Sequence, residues 1–136
     1  MSDCIFCKII QGVLPKYKVY EDEDVVAFLD IHPVSVGHTL VVPKKHYLDL
    51  VNAPPEVAAN LMAITQKIAP SIMEAVGATA FNLALNNGAQ AGQVVNHVHL
   101  HIIPRFADDG LRLWPAKEVK PTELEDTVKK IRTLVV

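Results

Sequence analysis

His97-Val98-His99-Leu100-His101-Ile102-Ile103 alternates imidazole rings with branched apolar side chains. Alternate residues of a strand share a face. The pattern therefore predicts a strand over residues 97–104, with His97, His99 and His101 on one face and Val98, Leu100 and Ile102 toward the core. Strand rise sets successive rings about 7 Å apart, a row able to meet one small ligand. Three readings are open. His-x-His on a strand is a good zinc pair. A neutral imidazole can attack phosphorus or carbon and form a covalent intermediate. Histidines can also simply decorate a solvated strand, but three alternating rings behind a loop rich in Asn, Gly and Gln argue against that.

Around this strand lies an uncharged span. Residues 75–104 contain no Asp, Glu, Lys or Arg, yet hold three of the six histidines. The span is either a buried strand between neutral loops or a site that handles a ligand without fixed charges. Polar residues interrupt it before any run of about 18 apolar residues is reached, so no membrane helix is predicted. The chain of 136 residues fits one domain, and its 50% hydrophobic and 21% charged residues exclude a mainly disordered chain. Thirteen basic residues against fifteen acidic ones give a net charge of -2, which argues against a broad basic surface for nucleic acid. Met1-Ser2-Asp3 lacks the basic start of an export leader, and the expected location is cytoplasmic.

Flanking elements follow from periodicity. Asp3 can cap a short helix over residues 4–11 that Gly12 stops. Residues 17–21 and 25–30 read as strands around the turn Asp22-Glu23-Asp24, and residues 39–43 as a third. Apolar residues at Val57, Leu61, Ile64, Ile68, Ile72 and Val76 form one helical stripe, which Pro70 should kink or split. Residues 81–85 read as a fourth strand and residues 97–104 as the fifth. Thr122 and Glu125 form a capping box before Leu124, Val128, Ile131 and Leu134, predicting a C-terminal helix. The class is α+β with a five-stranded antiparallel sheet, a long central helix, a short N-terminal helix and a C-terminal helix. A long apolar sheet edge invites pairing with a second copy, hence a homodimer. Cys4 and Cys7 can be a metal pair, a redox motif or plain core; the redox motif lacks the βαβ unit it needs.

His-φ-His-φ-His-φ-φ, with φ apolar, resembles the signature of the histidine triad family of nucleotide-binding hydrolases and transferases. Cys4-Ile5-Phe6-Cys7-Lys8-Ile9-Ile10, Phe28-Leu29-Asp30-Ile31, Gly37-His38-Thr39-Leu40-Val41-Val42-Pro43-Lys44-Lys45-His46, and the stretch from Asn86 to Gly92-Gln93 resemble its other landmarks, in order. The resemblance covers about residues 2–105 of a single domain spanning 1–136, with residues 106–136 as an extension like that of bacterial members. It implies that His99 is the nucleophile, attacking the α-phosphorus of a purine nucleoside phosphoramidate or dinucleoside polyphosphate. His101 would contact the phosphate and His38 would support the nucleophile. Asn86, Gly92 and Gln93 would form the phosphate loop with His99 and His101. Asp30 would accept from ribose hydroxyls, and Phe6, Ile9, Leu14, Phe28, Leu29 and Ile31 would surround the base; singly, each of these apolar residues reads equally as core, and Asp30 as a turn residue.

The resemblance also implies a structural zinc held by Cys4, Cys7, His46 and His97, with no organic cofactor. A closed four-ligand site leaves no open position for Lewis-acid chemistry. Where many members carry Ser or Thr after the glutamine, this chain has Val94, which predicts weaker handling of amine leaving groups. Arg105 could reach a distal phosphate or serve the surface, and the tail with Trp114 could shape substrate choice. Two other function classes stay open: a nucleotide-binding or sensing module with little turnover, and a metal-dependent hydrolase using the triad as ligands.

Overall fold

The computed structural model describes residues 3–135; Met1, Ser2 and Val136, which close the expected domain limits, lie outside them. The element order is α1 (Ile5–Ile10), β1 (Lys18–Glu21), β2 (Val25–Leu29), β3 (Thr39–Pro43), α2 (Pro55–Val76), β4 (Ala80–Ala84), β5 (Leu100–Arg105) and α3 (Pro121–Leu134), with a 3-10 turn over Ala89–Ala91. The five strands form one sheet in the order β1-β2-β3-β5-β4, antiparallel throughout. This is the expected α+β architecture.

Sheet pleating sorts the core into two layers. Val25, Ala27, Val41, Leu100 and Ile102 pack against Leu61, Ile64, Ile68, Ile72 and Met73 of α2. On the other face, Val26, Phe28, Leu40 and Val42 pack against Phe6 and Ile9 of α1. Both faces of β2 and β3 are therefore covered, which is why those strands read as continuous apolar runs. His101 pairs with Leu40 and so lies on the α1 side.

Several boundaries differ from expectation, each for a local reason. Cys4, not Asp3, caps α1, its Sγ accepting from the Cys7 N–H at 3.5 Å. α2 stays continuous through Pro70, which falls on the exposed side, where water can reach the carbonyl left without a donor. α3 has no side-chain cap; Lys120 occupies the cap and Pro121 the first turn, so Thr122 and Glu125 form no capping box. β5 starts at Leu100 instead of His97. There the ring nitrogens of His97 and His99 take the carbonyls of Pro43 and His97, at 2.8 and 2.7 Å, and the Val98 N–H turns to Tyr47 O. The turn before β2 lacks Asn-Gly, but Asp22 Oδ1 replaces it by accepting from the N–H groups of Asp24 and Val25, both at 2.8 Å.

Candidate active site and metal cluster

The three histidines of the alternating run share the α1 side of the sheet: the Phe6 ring lies edge-on to both His97 and His99, at 5.9 and 4.9 Å, and His101 pairs with Leu40. His97 is fully buried and faces the two cysteines, whereas His99 and His101 lie with His38, the 99 and 101 ring centres 4.9 Å apart. The rings on this face divide between two clusters joined through His97.

Fixed backbone donors and acceptors set every tautomer in the first cluster. The Val34 N–H can only donate, so His38 Nδ1, 3.1 Å away, is the acceptor. Neutral His38 then carries its proton on Nε2 and donates to His101 Nδ1 at 2.9 Å. His101 in turn carries its proton on Nε2. His99 Nδ1–H donates to the His97 carbonyl at 2.7 Å, which leaves the lone pair of His99 on Nε2. Burial lowers the affinity of His38, His99 and His101 for a further proton; His101, also facing its two neighbours, falls to about 4. At neutral pH the cluster therefore offers a nucleophilic nitrogen on His99 and an N–H donor on His101.

Gly37 brings His38 into place. Its φ is +89°, and a Cβ there would lie 2.8 Å from Val76 Cγ1, so the turn into β3 admits glycine alone. Ser35 ties the same turn to β5 through Pro104 O at 2.7 Å. Asp30 Oδ2 lies 3.7 Å from His38 Nε2, while its Oδ1 accepts from the His32 N–H at 2.8 Å. Asp30 is thus both a turn residue and a carboxylate facing the site.

The other expected contacts divide. Phe6, Ile9 and Phe28 belong to the core under the site, with the Phe6 ring edge-on to His99 at 4.9 Å. Leu14 is half-buried against them; Leu29 and Ile31 present the exposed apolar surface beside Asp30. Gln93 is buried and its amide is committed: Nε2 donates to Leu48 O and Val95 O, and Oε1 accepts from the Gly88 N–H. Its side chain braces the loop. Asn86 Nδ2 reaches Gly92 O at 3.5 Å across the same loop. Val94 is 91% exposed at its tip. Arg105 does not project free: it grips Asp109 through Nε and Nη2, Asn82 through Nη1 and the Leu111 carbonyl through Nη2. A cavity of about 460 Å³ lies between Asn86, Ile103, Arg105 and Trp114. The groups that sequence reasoning missed are mainly backbone ones, the Val34 N–H and the Pro43 carbonyl, for which no side-chain signal exists; a backbone carbonyl for the second nitrogen of His99 is expected, and His97 supplies it.

The second cluster holds Cys4, Cys7, His46 and His97, their ligating atoms all within 4.8 Å of one another. His97 Nε2–H donates to Pro43 O at 2.8 Å, so its Nδ1 lone pair points into the cluster. From that atom, Cys4 Sγ lies at 3.5 Å, Cys7 Sγ at 3.6 Å and His46 Nδ1 at 3.2 Å; Cys7 Sγ to His46 Nδ1 is 3.4 Å. Zinc bonds of 2.0–2.3 Å in a tetrahedron imply edges of roughly 3.3–3.8 Å. The donor set and its spacing therefore fit zinc. Burial and Cys4 raise the proton affinity of the Cys7 thiol, so without a cation it stays protonated and a bound metal would have to displace that proton.

Comparison with known proteins gives a consistent result. Residues 11–108 match the HIT domain family. An Arabidopsis thaliana protein named adenylylsulfatase HINT3 is 44% identical over 91% of this chain and 62% of its own length. The Schizosaccharomyces pombe adenosine 5'-monophosphoramidase hnt1 is 37% identical over 97% of this chain and 98% of its own. A zinc-bound histidine triad family protein from Mycobacterium smegmatis superimposes with a TM-score of 0.78 at 36% identity, covering 98% of this chain and 99% of that one.

Proposed function

The chain belongs to the HIT family, and from that premise we propose that it hydrolyses purine nucleoside phosphoramidates or dinucleoside polyphosphates at the α-phosphorus. The observation that carries this reading is the 2.7 Å bond from His99 Nδ1–H to the His97 carbonyl, which leaves Nε2 as the free nucleophilic atom. In the first step a nitrogen–phosphorus bond forms at His99 Nε2 while the bond to the leaving group breaks. In the second, water attacks the nucleotidyl-His99, that bond breaks and a nucleoside monophosphate leaves. His101 Nε2–H donates to a phosphate oxygen in both steps, oriented through His38. Neutral donors suit a transition state in which positioning and electrostatics do most of the catalysis. Asp30 takes the ribose hydroxyls, and Leu29 and Ile31, above Phe6, Ile9, Leu14 and Phe28, take the base. Backbone groups of the Gly92 loop, held by Gln93 and Asn86, take the phosphate.

Cys4, Cys7, His46 and His97 would hold zinc, which supplies a structural clasp between α1 and the residues leading to the nucleophile. Free thiols in that role accord with a reducing, cytoplasmic setting; among the described residues no helix is long and apolar enough to cross a membrane. A homodimer belongs to the same reading: β4 is an edge strand whose Phe81 and Leu83 are exposed beside Met62. Residues 106–136 then append a tail to one HIT domain.

The test is a rapid quench with adenosine phosphoramidate labelled in the α-phosphate, kept off acid because phosphohistidine is acid-labile. Label is expected on the wild-type chain and none on His99→Asn. Ligand binding without label or turnover would instead make the protein a binding module.

A further inference from the structure

The two cysteines of the metal cluster are not equivalent. Cys7 is buried, at 5% exposure, whereas Cys4 is half-buried. A surface cavity of about 410 Å³, lined by Ile5, His46, Leu48, Val94 and Val95 among others, has Cys4 in its wall, and Cys7 takes no part in that wall. A purely structural clasp gives no reason for a cavity that ends on one of its sulfurs.

The sulfurs are also placed to join. Cys4 Sγ accepts from the Cys7 N–H at 3.5 Å, the sulfurs lie 3.5 and 3.6 Å from His97 Nδ1, and they are within 4.8 Å of each other. Residues three apart at a helix start have Cα atoms about 5–5.5 Å apart, inside the range of about 4.4–6.8 Å that a disulfide spans. Rotation of the two side chains is enough to close one, with α1 left in place.

We propose that Cys4 and Cys7 are an oxidation site as well as a metal clasp: a hydroperoxide, ROOH, entering by this cavity converts them to a disulfide and frees the metal. The proposal rests on the zinc reading and is independent of the nucleotide chemistry. A metal holds both sulfurs as thiolates, the attacking form. The accessible Cys4 sulfur attacks the terminal oxygen of ROOH; an S–O bond forms, the O–O bond breaks and RO⁻ leaves, to be protonated to ROH. The Cys7 thiolate then attacks the Cys4 sulfur; the S–S bond forms and hydroxide leaves. Two electrons pass from the sulfurs to the peroxide. The pair oxidises itself, so no βαβ redox domain is needed. Losing two of four ligands, the cation departs, and His97 Nδ1 loses its partner while Nε2 stays on Pro43 O. The His97 carbonyl holds His99, so oxidation loosens the aim of His99 Nε2.

The test treats the full chain, loaded with zinc, with a few equivalents of hydrogen peroxide. A chelating dye follows the metal, and the denatured chain is weighed. About one zinc per chain should be released together with a loss of about 2 Da, the two thiol hydrogens, within single chains; dithiothreitol with added zinc should reverse both. After peroxide and dimedone, Cys7→Ser should carry a sulfenic-acid adduct and Cys4→Ser none. A loaded chain that keeps its zinc and its mass, a mass gain from sulfinic acid, a disulfide between chains, or an adduct on Cys4→Ser alone would each overturn the proposal. Metal content read before the oxidant keeps the two ideas apart: a chain that takes up no zinc refutes the clasp, and the oxidation site with it.

Discussion

Acidifying the protein from pH 7 to pH 4 is expected to cost about 3 kcal/mol of folding stability through His101 alone. In the folded state this ring takes up a proton only near pH 4, because it is buried and faces His99 and His38; unfolded, it does so near 6.5. Between those values the unfolded chain binds more protons than the folded one, so stability is complete above about pH 6.5 and falls as pH drops. At about 1.4 kcal/mol per tenfold, the loss is about 2 kcal/mol by pH 5 and levels off just below pH 4. Glu21, held at about 2 by Lys44 and Lys18, titrates below this window. Urea unfolding at pH 7, 6, 5 and 4, for the wild type and His101→Asn, reads the term directly. Asn keeps an acceptor for His38 Nε2 but cannot titrate, so its stability should fall less with acid, by about 3 kcal/mol at pH 4. Parallel pH dependences for the two proteins would refute the claim that the site is built to keep His101 neutral.

Three further outcomes follow from the same geometry. His38→Ala removes the donor that fixes the His101 tautomer; turnover of an adenosine phosphoramidate should fall about 10²-fold in kcat with KM little changed, and an unchanged kcat would remove His38 from the mechanism. Val94→Ser restores a hydroxyl at the loop tip and should raise turnover of amine-leaving substrates relative to dinucleoside polyphosphates; equal ratios in the two proteins would end that argument. Metal analysis of gently purified, untagged protein should find close to one zinc per chain, and stripping it should lower the unfolding midpoint; a ratio near zero would refute the zinc assignment.

The legible parts of this chain are those written in side-chain periodicity. Val57 to Val76 announce α2, continuous apolar runs announce β2 and β3, and the Cys4/Cys7 and histidine patterns announce the chemistry. What escaped is what backbone groups decide. Strand periodicity alone starts the last strand at His97, because nothing in that period records that histidine rings would claim the Pro43 and His97 carbonyls and stop the ladder at Leu100. Arg105, exposed by pattern, is consumed by Asp109, Asn82 and Leu111 O, a clasp that needs the tail to fold back. Pro70 reads as a break until its position on the exposed side of α2 is known.

His97 explains why the two clusters occur together. Its Nδ1 points at Cys4, Cys7 and His46, its Nε2–H is spent on Pro43 O, and its carbonyl receives the proton-bearing nitrogen of His99. One residue thus fixes the position of the cysteine cluster, the end of β3 and the tautomer of His99. A side chain free to rotate would let the carbonyl drift and with it the direction of the His99 lone pair. Anchoring the ring from both nitrogens removes that freedom before any substrate arrives, so the orientation of His99 is set during folding. The neutrality of residues 75–104 serves the same end. A fixed carboxylate there would repel phosphate, and a fixed cation beside His99 would oppose its charged states, whereas backbone dipoles and neutral rings can hold an anion and release it.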